Sequence, residues 1–433
     1  MDERYPNMEK APGADYSELG TTGLKRTSRG IVTEEFVPKL RGTRAIKVYA
    51  EMEIHPIIGS VLFGIEMLMR NVDWSVRPAS DSNADHEAAS FVDECMIDMS
   101  QSWSSIISEV LSMMQFGFSP HEIVYKRRLG KSSDPTKNSR YTDGRIGWRK
   151  LPIRSQDTLD RWDFGPDGGV QGMFQRNPVT SVIARIPIEK MLLFRTTDRK
   201  GNPEGKSVLR SAYRPWYFMT KIENIEAIGV ERDLAGLPTF GVPPEILSKD
   251  ASAGHKALLD YIKRMVREIR RDEQEGLIYP LEYDESGNKK YDFSLMTAGG
   301  TRQFETSRIV ERHARWAAMV ALADFIMLGH EKVGSFALSS SKTDMFGLAL
   351  NAWLDMIADV FNRFAIPRLF EINTFAVDDL PVIEHGDVET PDLKELGEYI
   401  SKLAGAGYPL FPDEGLEEWL RSIAGIPAKG SDI

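Results

Sequence analysis

The 433-residue sequence predicts a helix-rich α+β protein, and three observations carry that expectation. Long segments repeat apolar residues at steps of three and four, the period of a helix with one buried face. Shorter alternating segments, bounded by Gly and Pro clusters, are confined to the middle of the chain, as strands would be. Hydrophobic residues make up 42% and charged residues 27%, ordinary proportions for a chain that folds. The length allows about three domain-sized units.

Residues 1–40 are rich in Gly, Pro, Thr and charges and have no period, which predicts an extended arm. Within the apolar segment Met52–Met69 a helix is expected to begin after His55-Pro56, with Pro56 suited to its first turn and its end near Asn71. Asp73 to Pro78 alternates like a short strand closed by proline. Asp85 to Met114 reads as helix broken around Ser100 to Ser102, ending before Gly117. Ser119 to Lys126 and Ile146 to Leu151 then look like paired strands across a polar insert, Gly130 to Gly144. Arg161 to Phe164 and Gly172 to Gln175 flank Gly165-Pro166-Asp167-Gly168-Gly169, which is hairpin turn chemistry. Ile188 to Thr196 adds another strand, so 41–208 is expected to be one α+β unit.

Helix returns over 209–235, where Phe218, Ile222, Ile225 and Gly229 form a stripe that Gly236 and Pro238 stop. A small α/β insertion follows at 236–302. Its parts are an extended piece from Leu237 to Pro243, a charged amphipathic helix from Ala253 to Glu275, and strands at Leu277–Tyr283 and Lys290–Met296. From Gln303 to Leu328, Ile309, His313, Trp316, Val320, Ala323 and Met327 form the next stripe. The stretch Met319 to Leu328 is apolar on nearly every side, and such a helix needs neighbours to cover it. After Gly329, the segment His330 to Lys342 carries Gly, Ser and Lys and predicts a soft loop, with helix resuming at Asp344.

The chemistry-bearing residues do not assemble into a catalytic constellation. Gly201 to Ser207 imitates a phosphate-binding loop, but three residues separate its glycines where four are needed to wrap a phosphate. Asp198 with Glu204 and Lys206 gives half of a metal-nuclease pattern, and two carboxylates are a thin cage for a divalent ion. His121-Glu122 lacks the second histidine of a zinc-protease helix, so His121 is expected to be a plain strand residue and His313 a satisfied residue on its stripe. The single cysteine, Cys95, excludes an internal disulfide and predicts a buried thiol in a reducing compartment. No run of about 18 apolar residues is present, and the charged start does not suit a secretory signal, so a soluble protein with no membrane partner is expected. No cofactor is expected either.

The formal charge of −10 disfavours a protein that coats nucleic acid over a broad face. It does not exclude a wall that lets a duplex slide past, touched only by a few cations, but from charge alone the favoured reading is that mild acidity simply aids solubility. Arg308, Arg312 and Arg315 line one face of the 303–328 helix. In a monomer that row would pair with Glu305 and Glu311. In a ring, with Trp316 beside it, it could meet Glu223 and Glu226 of a neighbouring copy and set register. The loop from Lys332 to Lys342, with Ser335, Ser339, Ser340 and Ser341, offers non-specific contacts for phosphates.

Five stretches carry a family resemblance. They are Asp73-Trp74-Ser75-Val76, the run Gln115-Phe116-Gly117-Phe118-Ser119-Pro120-His121-Glu122-Ile123-Val124-Tyr125, Gly205-Lys206-Ser207-Val208-Leu209-Arg210, Gly334-Ser335-Phe336-Ala337-Leu338, and the tail Leu393 to Pro427 with its Leu403-Ala404-Gly405-Ala406-Gly407 break. In that order, and with the sequence of elements around them, the chain resembles tailed-bacteriophage portal proteins of the Mu-like branch. The resemblance implies a portal-type, ring-forming fold: arm 1–40, wing 41–208, stem helices 209–235 and 303–328, clip 236–302, tunnel loop 329–343, and a long helix with crown-side region at 344–433. It implies a homo-oligomeric ring of twelve subunits at one capsid vertex, through which double-stranded DNA is packaged and ejected. The implied partners are the terminase large subunit, then a head-completion or connector protein, with the major capsid protein and scaffold at the wing. The chain itself would not be an enzyme. Two other readings remain open at this point: a metal-dependent nucleic-acid enzyme using Asp198 and Glu204, and an oligomeric scaffold or adaptor without a channel.

Overall fold

The computed structural model describes residues 20–235, 237–268, 283, 285–296, 306–320, 336–388 and 402. The chain divides into two compact units, Met1–Ala212 with Ala318–Ile433, and Tyr213–Ala317.

In the first unit, residues 20–41 are not the unpacked extended arm expected but a docked segment, with an antiparallel bridge from Arg26 to Val32 and a 3-10 turn at Pro38–Leu40. Val32 and Leu40 are buried. Lys200 Nζ lies 3.3 Å from Glu34, and the Arg210 guanidinium donates to Glu35 at 2.8 Å. The backbone N–H of Trp162 donates to the Gly30 carbonyl at 3.0 Å. Gly30 has φ +82°, and a side chain there would collide with the Trp162 carbonyl. Glycine is required there twice over.

Next come two helices where the sequence predicted one, α1 (Thr43–Ile54) and α2 (Pro56–Arg70), bent by 96°. The residue before a proline avoids helical backbone. His55 accordingly is extended, and its Nδ1 caps α2 by accepting from the Ile57 N–H at 3.3 Å. After β1 (Trp74–Arg77) come α3 (Asn83–Ile97) and α4 (Trp103–Phe116). The break falls where expected because Ser102 is an N-cap, its Oγ accepting from Ser105 N–H at 3.2 Å. Gly117, at φ +96°, ends α4.

Seven strands follow: β2 (Phe118–Glu122), β3 (Val124–Arg127), β4 (Ile146–Lys150), β5 (Leu159–Phe164), β6 (Val170–Arg176), β7 (Ile183–Pro187) and β8 (Met191–Arg195). The predicted β5–β6 hairpin forms and gains β7 as a third antiparallel strand. β3 pairs with β4 across the insert, whereas β2 leaves them to pair with β8, Ser119 opposite Phe194. One sequence run thus feeds two sheets. The insert is anchored by a buried ion pair. Lys126 Nζ lies 3.0 Å from Asp98, which also accepts from Arg140 N–H at 2.8 Å and Ser139 Oγ at 2.7 Å. Nearby, the buried Arg128 meets Glu94 and Asp143 and stacks on Tyr141 at 4.0 Å. Cys95 is buried beside it, as expected, and burial pushes its thiol up to about 11.

The second unit contains α5 (Tyr213–Ala235), β9 (Leu237–Gly241), α6 (Pro244–Leu247), α7 (Ala253–Glu268), β10 (Asp292–Met296) and most of α8 (Thr306–Met319). β9 and β10 pair antiparallel, Phe240 opposite Phe293, giving the α/β insertion that the sequence predicted between two helices. Ile262 and Met265 of α7 are buried. The predicted strand Leu277–Tyr283 lies outside the described residues except for Tyr283, which bridges to Lys289.

In the first unit again, α9 (Phe336–Val360) runs through a π-helical turn, Phe361–Ala365, into α10 (Ile366–Glu371), and β11 (Val382–His385) closes the described chain apart from residue 402. β11 pairs antiparallel with β1, Trp74 opposite His385. Leu350, Leu354, Ile357 and Phe361 are fully buried in one cluster with Ile65 and Met69 of α2, Phe91 of α3, Val110 of α4, Trp148 and Phe194. The body expected at 41–208 is therefore completed by residues some 150 positions later. A second cluster, Val32, Ile46, Phe118, Leu159, Trp162 and Met173, lies under the arm.

Candidate functional site

The arginine row lies on α8, whose first turn contacts α5. Thr306 Oγ1 donates to Glu226 at 2.6 Å, so one of the two acidic residues expected to face a neighbouring copy is engaged within its own chain. Glu223 lies three residues earlier on the same helix, close to the same face. Arg315 pairs with Glu311 at 3.7 Å, one helical turn back, and the Arg312 guanidinium lies 5.3 Å from the Trp316 ring centroid. Arg308, Arg312 and Arg315 are all exposed.

The buried positions of α8 differ from the predicted stripe. His313, Ala314, Ala317 and Ala318 are buried, whereas Trp316 is 48% exposed. Alanines let a helix approach its neighbour closely, so the small face turns in and the indole turns out. His313 stacks on Phe218 of α5 at 6.0 Å and meets Trp316 edge-on at 5.2 Å. Its Nδ1 has no hydrogen-bond partner among the described residues, so the histidine is buried but not satisfied as expected. Burial, then the Arg312 charge, lower its pKa. Tyr217, Phe218, Ile225 and Ile228 of α5 are also substantially exposed, Ile225 by 67%.

For the loop, the structure moves a boundary. α9 starts at Phe336, eight residues before Asp344, so the backbone at Ser339, Ser340, Ser341 and Lys342 is helical. Gly334 is the last glycine before Gly347, and serine costs a helix only about 0.5 kcal/mol relative to alanine. Lys332 and Ser335 lie outside the described residues, as do 321–328 of the all-apolar stretch. Met319, at its start, is 49% exposed.

Asp198, Glu204 and His121, which imitated catalytic motifs, each have a partner of their own. Asp198 takes two hydrogen bonds from Arg195, at 2.7 and 2.8 Å. Glu204 accepts from the Trp162 indole N–H at 3.2 Å. His121 is fully buried between Ser119 Oγ, at 2.9 Å, and the Leu151 carbonyl, at 2.8 Å, which makes it the core strand residue expected. Burial brings its pKa down to about 4.

Comparison with known proteins gives the frame for these surfaces. A search of curated proteins returns no match. Among solved structures, a chain from "Neck of native GTA particle computed with C12 symmetry" superposes with a TM-score of 0.52 at 12% identity, covering 94% of this chain and 97% of that one. A chain from "Neck of empty GTA particle computed with C6 symmetry" gives 0.51 at 13%, covering 90% and 95%. At such identities the likeness is one of fold. The sequence profile of the family described as "Portal protein of Mu bacteriophage" matches residues 46–426, nearly the whole chain. The protein belongs to that family and is a phage portal protein.

Proposed function

We propose that twelve copies of this chain close into a ring at one capsid vertex and form the channel through which double-stranded DNA enters during packaging and leaves at ejection. The observation that carries this reading is the family match over 46–426. The fold likeness to chains of neck particles computed with C12 and C6 symmetry supports it. In this reading α5 and α8 are stem helices. Their exposed apolar side chains, Phe218, Ile225, Ile228 and Trp316, supply a face that association would cover. Arg308, Arg312 and Arg315 meet Glu223 and Glu226 of the adjacent copy and fix register more than they add affinity.

The clip at 236–302 docks the terminase large subunit and later a head-completion or connector protein. The wing, 41–208 completed by α9 to β11, meets the major capsid protein and scaffold. The tunnel-loop region, 329–343, includes the first turns of α9, where Ser339 to Lys342 lie. Lys332 and Lys342 touch phosphates without reading bases. The protein is a conduit in the virion, assembled in the host cytoplasm, and hydrolyses nothing itself.

Negative-stain electron microscopy of the purified protein, with particle mass measured alongside, tests the reading. Rings with a central hole and the mass of a dozen copies are expected. A particle that stays monomeric at high concentration, or a closed assembly without a through-channel, would overturn it.

A further inference from the structure

Beneath the arm lies a cavity of about 370 Å³ that the channel reading does not use. Val32, Glu34 and Glu35 of the arm, Ile46 and Tyr49 of α1, and the loop after β8 wall it, over an apolar floor of Phe116, Phe118 and Leu159. Glu204 lines it too, set there by tight backbone packing. Gly117 and Gly205 both have positive φ, and a side chain on either would run into the backbone of the other segment. One Glu204 oxygen takes the Trp162 indole proton. The other has no hydrogen-bond partner, and no arginine or lysine forms a salt bridge with it, among the described residues.

The other charges that line the cavity are engaged or stand at its rim. Arg210 is held by Glu35 and Lys200 by Glu34, while Arg41 donates to the carbonyls of Glu35 and Phe36. Arg199 and Lys206 stand at the exposed rim, where water and salt screen them. Tyr49 is a buried phenol whose pKa burial pushes up to about 12, so it brings no charge. Glu204 is thus an inward carboxyl without a counter-ion, and burial pushes its pKa up to about 7. Buried carboxylates ordinarily are paired. An organic cation would supply what is missing, and aromatic faces such as those of Tyr49, Phe116 and Phe118 add to the attraction.

We propose that this cavity binds a primary ammonium or guanidinium group, ion-paired with the free oxygen of Glu204 and enclosed by the docked arm. The group is either a free polyamine or the end of a lysine or arginine side chain.

Isothermal titration calorimetry of the full chain, with 1,4-diaminobutane, agmatine and acetyl-lysine methylamide as probes, tests it. One site per chain is expected, at least tenfold weaker in Glu204→Gln, which keeps an acceptor for Trp162. At pH 6.5 binding to the wild type should release protons, seen as a heat that depends on buffer ionisation enthalpy, and at pH 8 it should not. That readout needs no variant and survives a Glu204→Gln that fails to fold. Diaminobutane binding at least as well as the lysine amide assigns the site to free polyamines; binding confined to the lysine amide or agmatine assigns it to a protein side chain. No binding by any probe, or binding that releases no proton at pH 6.5 and is unchanged in Glu204→Gln, overturns the proposal.

Discussion

A half-buried carboxyl and a buried imidazole set opposite pH slopes on stability. Glu204 has a folded pKa of about 7 against 4.5 for the free group. Below pH 4.5 it is protonated in both states; between 4.5 and 7 only the unfolded chain ionises, so its contribution falls as pH rises and levels off above 7. The loss amounts to about 3 kcal/mol. His121 works the other way: its pKa falls from 6.5 to about 4, so its contribution is full above 6.5 and is lost as pH drops towards 4. Urea unfolding across pH 4 to 8 should therefore show the two slopes nearly cancelling between 4.5 and 6.5 in the wild type, and Glu204→Gln should unmask the His121 rise in stability over that range. An unchanged slope would remove Glu204 from this role. Neither shift can be read from local sequence, because both come from desolvation. What the sequence did show was that His121 sits in a strand and that the Gly201 to Ser207 turn is too short for a phosphate.

At the scale of elements, the 130–144 insert looked like a plain surface loop and proves to be pinned. Replacing Lys126 by Met leaves Asp98 buried without its cation, which should cost about 3–5 kcal/mol. Limited proteolysis should then cut within 130–144 well before the rest of the first unit, and cutting at the wild-type rate would mean the pair is not what holds the insert. Helix caps and glycine stops were legible: Ser102, Gly117 and the 165–169 turn all fall where the residues said. Two boundaries were not. The start of α1 at Thr43 was missed, whereas the helix with Pro56 in its first turn, α2, begins where expected. The serines before Asp344 were read as loop, yet their small propensity cost is easily offset inside a 25-residue helix.

For the whole molecule, the charge row on α8 gives a test of the ring. Reversing Arg308 and Arg312 to Glu alters exposed positions, so the stability of one chain should move by less than about 1 kcal/mol. Ring formation, read by sedimentation velocity, should weaken by at least tenfold and gain in low salt from a compensating Glu223→Arg. Rings of undiminished stability would place the interface elsewhere. A double Lys332→Ala, Lys342→Ala variant should keep its rings and package less DNA.

By itself, the sequence determined the class of fold and the succession of α+β body, helix, α/β insertion and helix, because periodicity, caps and turns are local properties; the family entered through the resemblance of its ordered motifs. The partners of those elements were decided by tertiary structure. β1 waits for β11 some 300 residues on, β2 chooses β8 over its nearest strand, and α9 fills the core of a body that precedes it by more than 100 residues. The cavity around Glu204 belongs to the same class. Its walls come from an arm, a helix and a loop distant in sequence, and only their packing removes the water that would otherwise keep that carboxyl ordinary.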